Sequence, residues 1–294
     1  MDTRDEIRDF LTSRRAKIPP ERAGFAGHGG NRRVAGLRRE EVALLAGISV
    51  EYYIRLERGN ARGVSDGVLE SLARALQLVE AERGYLFDLV HAANADPRAL
   101  SRRADQPLRP SVRRLLDAMV TAPAYVWNGR LDVLAANQLG RALFAPMLAG
   151  SVRPANQARF IFLDPQAPQF FVEWEQLAHD AVAMLRTEAG RHPHDERLAE
   201  LIQGLSTRSE TFRTMWAAHD VRCRRTGVKR FHHPVVGPLT VTFESMGLVT
   251  DTDLRITAGT AEPGSSSEHA LNLLASWTAT SHDEVDGVRT GDRS

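Results

Sequence analysis

Apolar residues recur at helical spacing through the first third of the chain. A helix is predicted from Arg4 to Arg15, because its large apolar side chains fall on one face. A connector rich in glycine and arginine follows at 24–36, and from there the pattern is helical to about Asn94. The first third therefore predicts an all-helical domain.

The second half mixes strand and helix periods. Asn128-Gly129-Arg130 lies between two short runs of strand-forming residues, which is the strongest short-range signal of a β-hairpin. Three further strands are predicted at Val228–His233, Leu239–Ser245 and Leu254–Thr260. Five helices are predicted at Asn137–Phe144, Gln169–Thr187, Glu196–Leu205, Ser209–His219 and Ser266–Trp277.

Composition changes mark the domain boundaries. The stretch 96–110 holds three prolines, which is typical of a linker. It separates a helical domain at 1–95 from a mixed domain at 111–277. Residues 278–294 are mostly small and polar, and we expect a disordered tail there.

A short helix, a tight turn and a second short helix are predicted within Gly36–Gly59. Gly47 suits the left-handed conformation that ends a helix, and Ser49 is a natural N-cap for the next one. Tyr53 and Leu56 of the second helix point inward. The small apolar face of the first helix consists of Val42, Ala43 and Ala46. This is the helix-turn-helix pattern, whose second helix enters the major groove of DNA.

Basic residues are concentrated around this motif, although the formal net charge of the chain is only +1. Between Ser13 and Arg62 there are 11 basic residues against 5 acidic ones, whereas from Gln106 onward there are 20 against 21. A basic window on a neutral body is typical of a polyanion contact, most often nucleic acid. A solvated arginine-rich face would give the same distribution of charge.

The motif resembles the helix-turn-helix family of the phage repressors and the xenobiotic-response-element (XRE) regulators. The family's frame is kept without a gap, and the resemblance continues into a fourth and a fifth helix. It is carried by Ala43, Gly47-Ile48-Ser49, Tyr53–Gly59, Ser65–Leu76 and Glu82–Phe87. The resemblance implies an all-α, five-helix, lambda-repressor-like domain that binds a double-stranded DNA operator.

The second half resembles the MmyB-like ligand-binding domain. The motifs that carry the likeness are Leu131–Asn137, Phe162–Pro165, Trp174-Glu175, Trp216–Val221, Lys229–Thr240 and Thr260–Ser265. The resemblance implies an α+β, PAS-like domain with an antiparallel sheet and helices around it. Such a domain senses a small apolar or lipid-like molecule, for example a non-covalently bound fatty acid, and no other cofactor is expected.

Within the helix-turn-helix frame, four residues fall on the outward, N-terminal face of the second helix, where they are expected to read bases. They are Val50, Glu51, Tyr52 and Arg55. Five residues flank the groove and are expected to contact phosphates. They are Arg38, Arg39, Arg58, Asn60 and Arg62. A simple i, i+4 pair between Glu51 and Arg55 on the protein surface is the alternative.

Aromatic residues are dense in the second half, and some are expected to line an apolar ligand pocket between sheet and helices. The candidates are Trp127, Leu134, Phe160, Phe162, Trp174 and Trp216. A packed core without a cavity would use the same residues.

Other chemistry finds little support in the sequence. His192, His194, His232 and His233 lack metal-ligand spacing, so no metal site is predicted. Cys223 lies between arginines that would lower its thiol pKa, but as a single cysteine it excludes both a disulfide framework and a resolving partner. Catalytic serine, phosphate-loop and nucleotide motifs are missing, and no enzyme is predicted.

Together these patterns predict a ligand-responsive bacterial transcription regulator that acts as a homodimer. The charged N-terminus and the lack of about 18 consecutive apolar residues predict a cytoplasmic, nucleoid-associated protein without a membrane partner. An enzyme or a protein-interaction scaffold that carries a DNA-binding domain is the alternative. An enzyme would need convergent titratable groups in the sensor cavity, and a scaffold a large exposed apolar patch.

Overall fold

The computed structural model describes residues 2–25, 36–95, 108–150, 152–221 and 227–277. The expectations for most of the glycine-rich connector, most of the linker, Cys223 and the tail at 278–294 lie outside the described residues. The first helices are α1 (Thr3–Ala16), α2 (Arg39–Ala46), α3 (Val50–Glu57), α4 (Asp66–Ala75) and α5 (Glu80–Asn94).

The remaining elements alternate helices and strands. They are α6 (Pro110–Ala118), β1 (Ala124–Asn128), β2 (Asp132–Ala136), α7 (Gln138–Leu143), α8 (Ala145–Leu148), β3 (Ala155–Asn156), α9 (Gln157–Leu163), α10 (Ala167–Phe170), α11 (Trp174–Arg191), α12 (Glu196–Arg208), α13 (Glu210–Ala217), β4 (Gly227–His233), β5 (Gly237–Gly247) and β6 (Leu254–Thr260). A last helix, α14, occupies 266–277.

The chain forms two compact units, and neither is continuous in sequence. Unit 1 consists of Met1–Ala104, Val182–Gly204 and Arg213–Cys223. Unit 2 consists of Asp105–Ala181, Leu205–Phe212 and Arg224–Ser294. Segments from the middle of the sequence are therefore part of the unit that holds the first five helices.

Unit 1 contains the expected five-helix bundle. Helix α1 begins where the Asp2 carboxylate accepts a hydrogen bond from the Arg4 backbone N–H (2.9 Å). Its apolar stripe is fully buried, and Phe10 meets the Tyr85 ring of α5 edge-on at 5.1 Å between centroids. Helix α1 packs against α3 and α5, and α2 packs against α3 and α4. The all-helical prediction for this part of the chain is confirmed.

Unit 2 contains the expected antiparallel, PAS-like sheet. In the described residues its strands lie in the order β3-β2-β1-β6-β5-β4. The predicted hairpin at Asn128-Gly129-Arg130 joins β1 to β2, and the Asn128 side-chain oxygen accepts from the backbone N–H groups of Arg130 and Asp132. A bulge in this pair leaves Leu134 without a partner residue on β1.

Each face of this sheet carries a hydrophobic cluster. On one face Val112 and Leu116 of α6 pack with Val126 and with Ile256 of β6. On the other face Phe231 of β4 is the centre of an aromatic cluster. Its rings are Phe144, Phe170, Phe171 and Phe243, with centroids 5.3 to 6.0 Å from that of Phe231.

Asn137 ties the β-hairpin to the helix that follows it. Its side-chain oxygen accepts from the backbone N–H groups of Ala124 and Gly140, and its amide donates to the carbonyls of Met119 and Ala122. Gly140 is required beside it, because a Cβ there would lie 2.4 Å from the carbonyl oxygen of Ala124. One buried amide therefore satisfies four backbone groups, three at 119–124 and one in α7.

The prediction of one helix from Gln169 to Thr187 is wrong. The chain leaves the helix after Phe170, because Phe171 forms a β-bridge with Phe231 and the Val172 N–H donates to the Arg230 carbonyl (3.1 Å). Pairing with an edge strand replaces one turn of helix. Helices α6, α8 and α9 and the short strand β3 were not predicted.

Candidate functional site

The helix-turn-helix pair is formed by α2 and α3. Gly47 ends α2 in the left-handed conformation (φ 67°), and the Ile48 N–H donates to the Ala43 carbonyl (3.0 Å). Ser49 then caps α3, its hydroxyl accepting from the Tyr52 N–H (3.1 Å). The predicted inward residues of both helices, Val42, Ala43, Ala46, Tyr53 and Leu56, are buried. The angle between the helices is thus fixed by local contacts.

The outward side of α3 carries two exposed side chains, Glu51 and Arg55. The Arg55 guanidinium lies over the Tyr52 ring, 4.6 Å from its centroid. Within the described residues no ion pair joins Arg55 to Glu51. Val50 and Tyr52 are half-buried and pack against the edge of the hydrophobic core of unit 1.

The five residues expected at phosphates are all exposed. Arg38 is the N-cap residue of α2, and its backbone N–H donates to the Glu41 carboxylate (2.7 Å). Arg58, Asn60 and Arg62 follow α3 in the loop that leads to α4. Arg39 differs from these, because its Nε donates to the Glu57 carboxylate, which raises the pKa of the guanidinium.

Glu57 is a buried carboxylate that the sequence pattern did not reveal. It accepts hydrogen bonds from Arg15 Nε (2.5 Å), from Arg39 Nε and from the Tyr53 hydroxyl (3.3 Å). Burial, together with the neighbouring Glu57 charge, raises the pKa of Tyr53. One feature of the sequence could have indicated this burial: Glu57 directly follows the inward residue Leu56 and lies on the face that meets α1.

Gly59 closes the recognition helix against α1. Its φ is 81°, and a Cβ there would lie 2.1 Å from the Arg4 carbonyl oxygen. Gly36 meets α1 in the same way at the other end of the motif, where a Cβ would lie 2.5 Å from the Arg15 carbonyl oxygen. Gly36 and Gly59, at the two ends of the motif, therefore permit close packing on the first helix.

A second buried charge cluster in unit 1 surrounds Arg186 of α11. The Arg186 side chain is 0% exposed, and its Nη1 donates to Glu6 Oε2 at 2.7 Å. Glu6 also accepts from the Tyr85 hydroxyl (3.0 Å). The guanidinium lies over the Trp216 ring at 4.1 Å and donates to the Trp216 carbonyl, with His219 Nδ1 3.0 Å from Nη1. Burial and the Arg186 charge lower the pKa of His219.

The six residues expected at a ligand pocket do not all come together. Trp216 belongs to unit 1, beneath Arg186. Trp127, Leu134, Phe160, Phe162 and Trp174 belong to unit 2, where Leu134 lies at the bulge of β2.

The four aromatic residues in unit 2 have distinct surroundings. Phe160 is buried, with its ring 6.0 Å from those of Phe170 and Phe171, whereas Phe162 is half-buried against Phe212. Trp174 is half-buried and donates from Nε1 to the Ile161 carbonyl (2.8 Å). Trp127 is buried on β1.

A few polar groups lie among the apolar residues of unit 2. Trp127 donates from Nε1 to Thr257 Oγ1 (2.8 Å), which lies 2.7 Å from Ser245 Oγ. Burial raises the pKa of Tyr125 to about 12. Burial also lowers the pKa of Lys229 to about 8, and the Asp180 charge opposes this shift. The Lys229 ammonium lies 5.0 Å from the Phe243 ring centroid.

Two negative findings concern the described part of the chain. No group of three or more metal-ligating side chains converges there. No helix there combines the length and the apolar character needed to cross a bilayer.

The comparisons with known proteins agree with this architecture. A helix-turn-helix domain family matches residues 29–86, which include α2, α3 and α4. The family described as the MmyB-like transcription regulator ligand binding domain matches residues 108–274. No curated protein gives a significant match. Both matched families are domains of transcription regulators. Because the second match covers more than half of the 294 residues, the chain belongs to the MmyB-like transcription regulators, with a DNA-binding helix-turn-helix domain ahead of the ligand-binding domain.

Proposed function

We propose that this regulator binds its operator as a homodimer, reads bases with the exposed face of α3, and responds to an apolar or lipid-like ligand held in unit 2. The observation that carries the DNA-binding part is the capped helix α3, whose exposed Glu51 and Arg55 stand on a buried Tyr53–Leu56 face. A rigid helix with a short exposed face is what major-groove readout requires.

The contacts expected from α3 follow from side-chain chemistry. Arg55 suits a bidentate contact with a guanine edge, and Glu51 suits a contact with a cytosine amine. For Val50, at the start of the helix, the proposed contact is with a thymine methyl group. Tyr52 lies under the Arg55 guanidinium, a cation–π contact that restricts the arginine before DNA binds.

Phosphate contacts are proposed for four exposed arginines and one asparagine that flank α3. Arg38 and Arg39 lie at the start of α2, and Arg58, Asn60 and Arg62 follow α3. These residues fix the register of the helix on the duplex without reading sequence. In a homodimer, two such helices would reach successive major grooves about 34 Å apart.

Replacing Arg55 by alanine is expected to weaken binding to the cognate site by about 1–3 kcal/mol and to relax the preference at one base pair. Binding sites selected from random DNA, followed by titration of single-base variants, measure both effects. Arg58→Ala is the matched control, because loss of a phosphate contact weakens binding to all sequences alike. If Arg55→Ala also weakens cognate and random DNA equally, Arg55 contacts phosphate and does not read bases.

The ligand class is proposed from the aromatic and polar side chains of unit 2. Phe160, Phe162 and Trp174 contribute aromatic surface, and Trp127 donates to the Thr257–Ser245 hydroxyl pair. Mostly apolar walls with a few placed polar groups are typical of small-molecule sites. A fatty acid has this division between a long apolar chain and one polar end.

Native mass spectrometry of the purified protein is expected to show a co-purifying species that disappears after denaturation and refolding. The refolded protein should then bind dodecanoic acid, and Trp127→Phe, which keeps an aromatic side chain but loses the Nε1 donor, should bind it more weakly. Refolded protein that binds neither dodecanoic acid nor an extract of its host's lipids would contradict a lipid-like ligand. That outcome would not contradict the proposal that the protein binds DNA.

A further inference from the structure

Arg186 lies in an unexpected place for a residue of the ligand-binding region. The family match that defines this region runs from 108 to 274, and Arg186 falls well inside it. In the structure, however, the segments Val182–Gly204 and Arg213–Cys223 belong to unit 1, together with the DNA-binding helices. Part of the sensor sequence therefore completes the DNA-binding unit.

The partners of Arg186 come from the helices that support the recognition helix. Glu6 is on α1, which packs against α3, and Tyr85 is on α5, which packs against α1 and α4. Burial and the neighbouring Glu6 charge raise the pKa of Tyr85, which therefore stays protonated and donates to Glu6. A movement of Arg186 thus changes the hydrogen bonds of two helices at once.

Arg186 also lies near the end of one long helix. Residues Trp174–Ala181 of α11 are grouped with unit 2, and the residues from Val182 onward are grouped with unit 1. Gly190 permits close packing at this end, because a Cβ there would lie 2.7 Å from Tyr85 Cε2. A rigid helix transmits a displacement along its length, so a shift at its first turns reaches Arg186.

Because the Arg186–Glu6 ion pair is buried, such a shift has a large free-energy cost. Separating Arg186 from Glu6 leaves a buried carboxylate without its charged partner, which is far more costly than removing both charges together. The pair therefore favours one discrete arrangement of α1, α5 and α11 over intermediate ones.

We propose that Arg186 is a positioning residue through which α11 sets the arrangement of α1 and α5, so that sensor state and DNA affinity are coupled by the Arg186–Glu6 pair. This inference rests on the proposed function, because it needs a DNA-binding bundle that responds to a sensor. Coupling between two sites is reciprocal, so DNA binding must act back on the sensor region. That reciprocity allows a test without knowing the ligand.

The test uses the full chain and a duplex of random sequence at low salt, where phosphate contacts alone give measurable binding. Amide hydrogen exchange is recorded with and without DNA over Trp174–Ala181 and over β4 to β6. The variants are Arg186→Met, Glu6→Gln and the two combined. Arg191→Met is the matched control, because Arg191 pairs with Asp88 of α5 from the same helix, but in a half-exposed position (2.7 Å).

Arg186→Met alone is expected to raise exchange in α1 and α5 and to lower DNA affinity by about tenfold or more, because Glu6 stays buried and charged. The combined variant is expected to regain most of that affinity and of the protection of α1 and α5. In the combined variant, however, DNA should no longer change the amide exchange of Trp174–Ala181. In the wild type and in Arg191→Met, DNA should still change it.

Three results would overturn the inference. In the first, DNA changes no exchange beyond unit 1 in the wild type. In the second, DNA changes the amide exchange of Trp174–Ala181 in the combined variant as much as in the wild type. In the third, Arg191→Met behaves like Arg186→Met. None of these results depends on which ligand the sensor binds, so a failed search for the ligand and a failure of this coupling are told apart.

Discussion

Replacing Glu57 by alanine is expected to lower the free energy of unfolding of unit 1 by about 3–5 kcal/mol and to abolish DNA binding. The carboxylate is buried and accepts hydrogen bonds from Arg15, Arg39 and Tyr53. Without it, the Arg15 guanidinium, itself largely buried, keeps its charge and loses its charged partner. The same carboxylate joins α1, α2 and α3, so its loss loosens the recognition helix from the bundle.

Thermal and urea unfolding followed by far-ultraviolet circular dichroism measure this effect, with DNA affinity measured on the same samples. Glu51→Ala is the matched control, because Glu51 is on the same helix but exposed, and its removal should leave stability within about 0.5 kcal/mol. A Glu57→Ala protein as stable as Glu51→Ala would show that the three donors find other partners.

Replacing Phe231 by alanine is expected to lower the free energy of unfolding of unit 2 by about 3–5 kcal/mol. Its ring is buried at the centre of the aromatic cluster, in contact with Phe144, Phe170, Phe171 and Phe243. The substitution removes a large apolar surface and leaves a cavity that the neighbouring rings, held by the sheet and by α10, fill only in part.

Phe162→Ala provides the comparison for this prediction. Phe162 is only half-buried, with a single ring contact to Phe212 among the described residues, so its removal should cost clearly less. Hydrogen exchange of β4 and β5 measures the stability of the sheet separately from that of the helical bundle. Equal losses for the two variants would mean that Phe231 is not the centre of the core.

The helix-turn-helix could be predicted from the sequence because its determinants are local. Gly47 and Ser49 act on neighbouring residues, and the inward positions of α2 and α3 follow from helical spacing alone. The β1–β2 hairpin was predictable for the same reason, since Asn128 satisfies the backbone of its own turn. The family resemblance predicted that the sheet is antiparallel, whereas the order of its strands, which local spacing does not determine, was not predicted.

The buried charges could not be predicted, because their partners are far apart in sequence. Glu6 and Arg186 are 180 residues apart, and Arg15 and Glu57 are 42 apart. The pattern shows only a charge on an apolar helix face, as at Glu6 beside Ile7, and does not say which opposite charge neutralises it. The break between Phe170 and Trp174 has a similar cause, since it depends on pairing with the distant strand β4.

Because unit 1 is not continuous in sequence, recombination between regulators cannot exchange the sensor region alone without affecting the DNA-binding bundle. A hybrid that joins residues 1–95 to an unrelated sensor would keep Glu6 and Asp88 but lose Arg186 and Arg191, the arginines that neutralise them. The hybrid would inherit a buried negative charge, and its DNA-binding bundle would be weakened before any ligand is considered. A functional exchange would therefore have to carry Val182–Gly204 and Arg213–Cys223 along with the recognition helix, which makes the three segments a single heritable module.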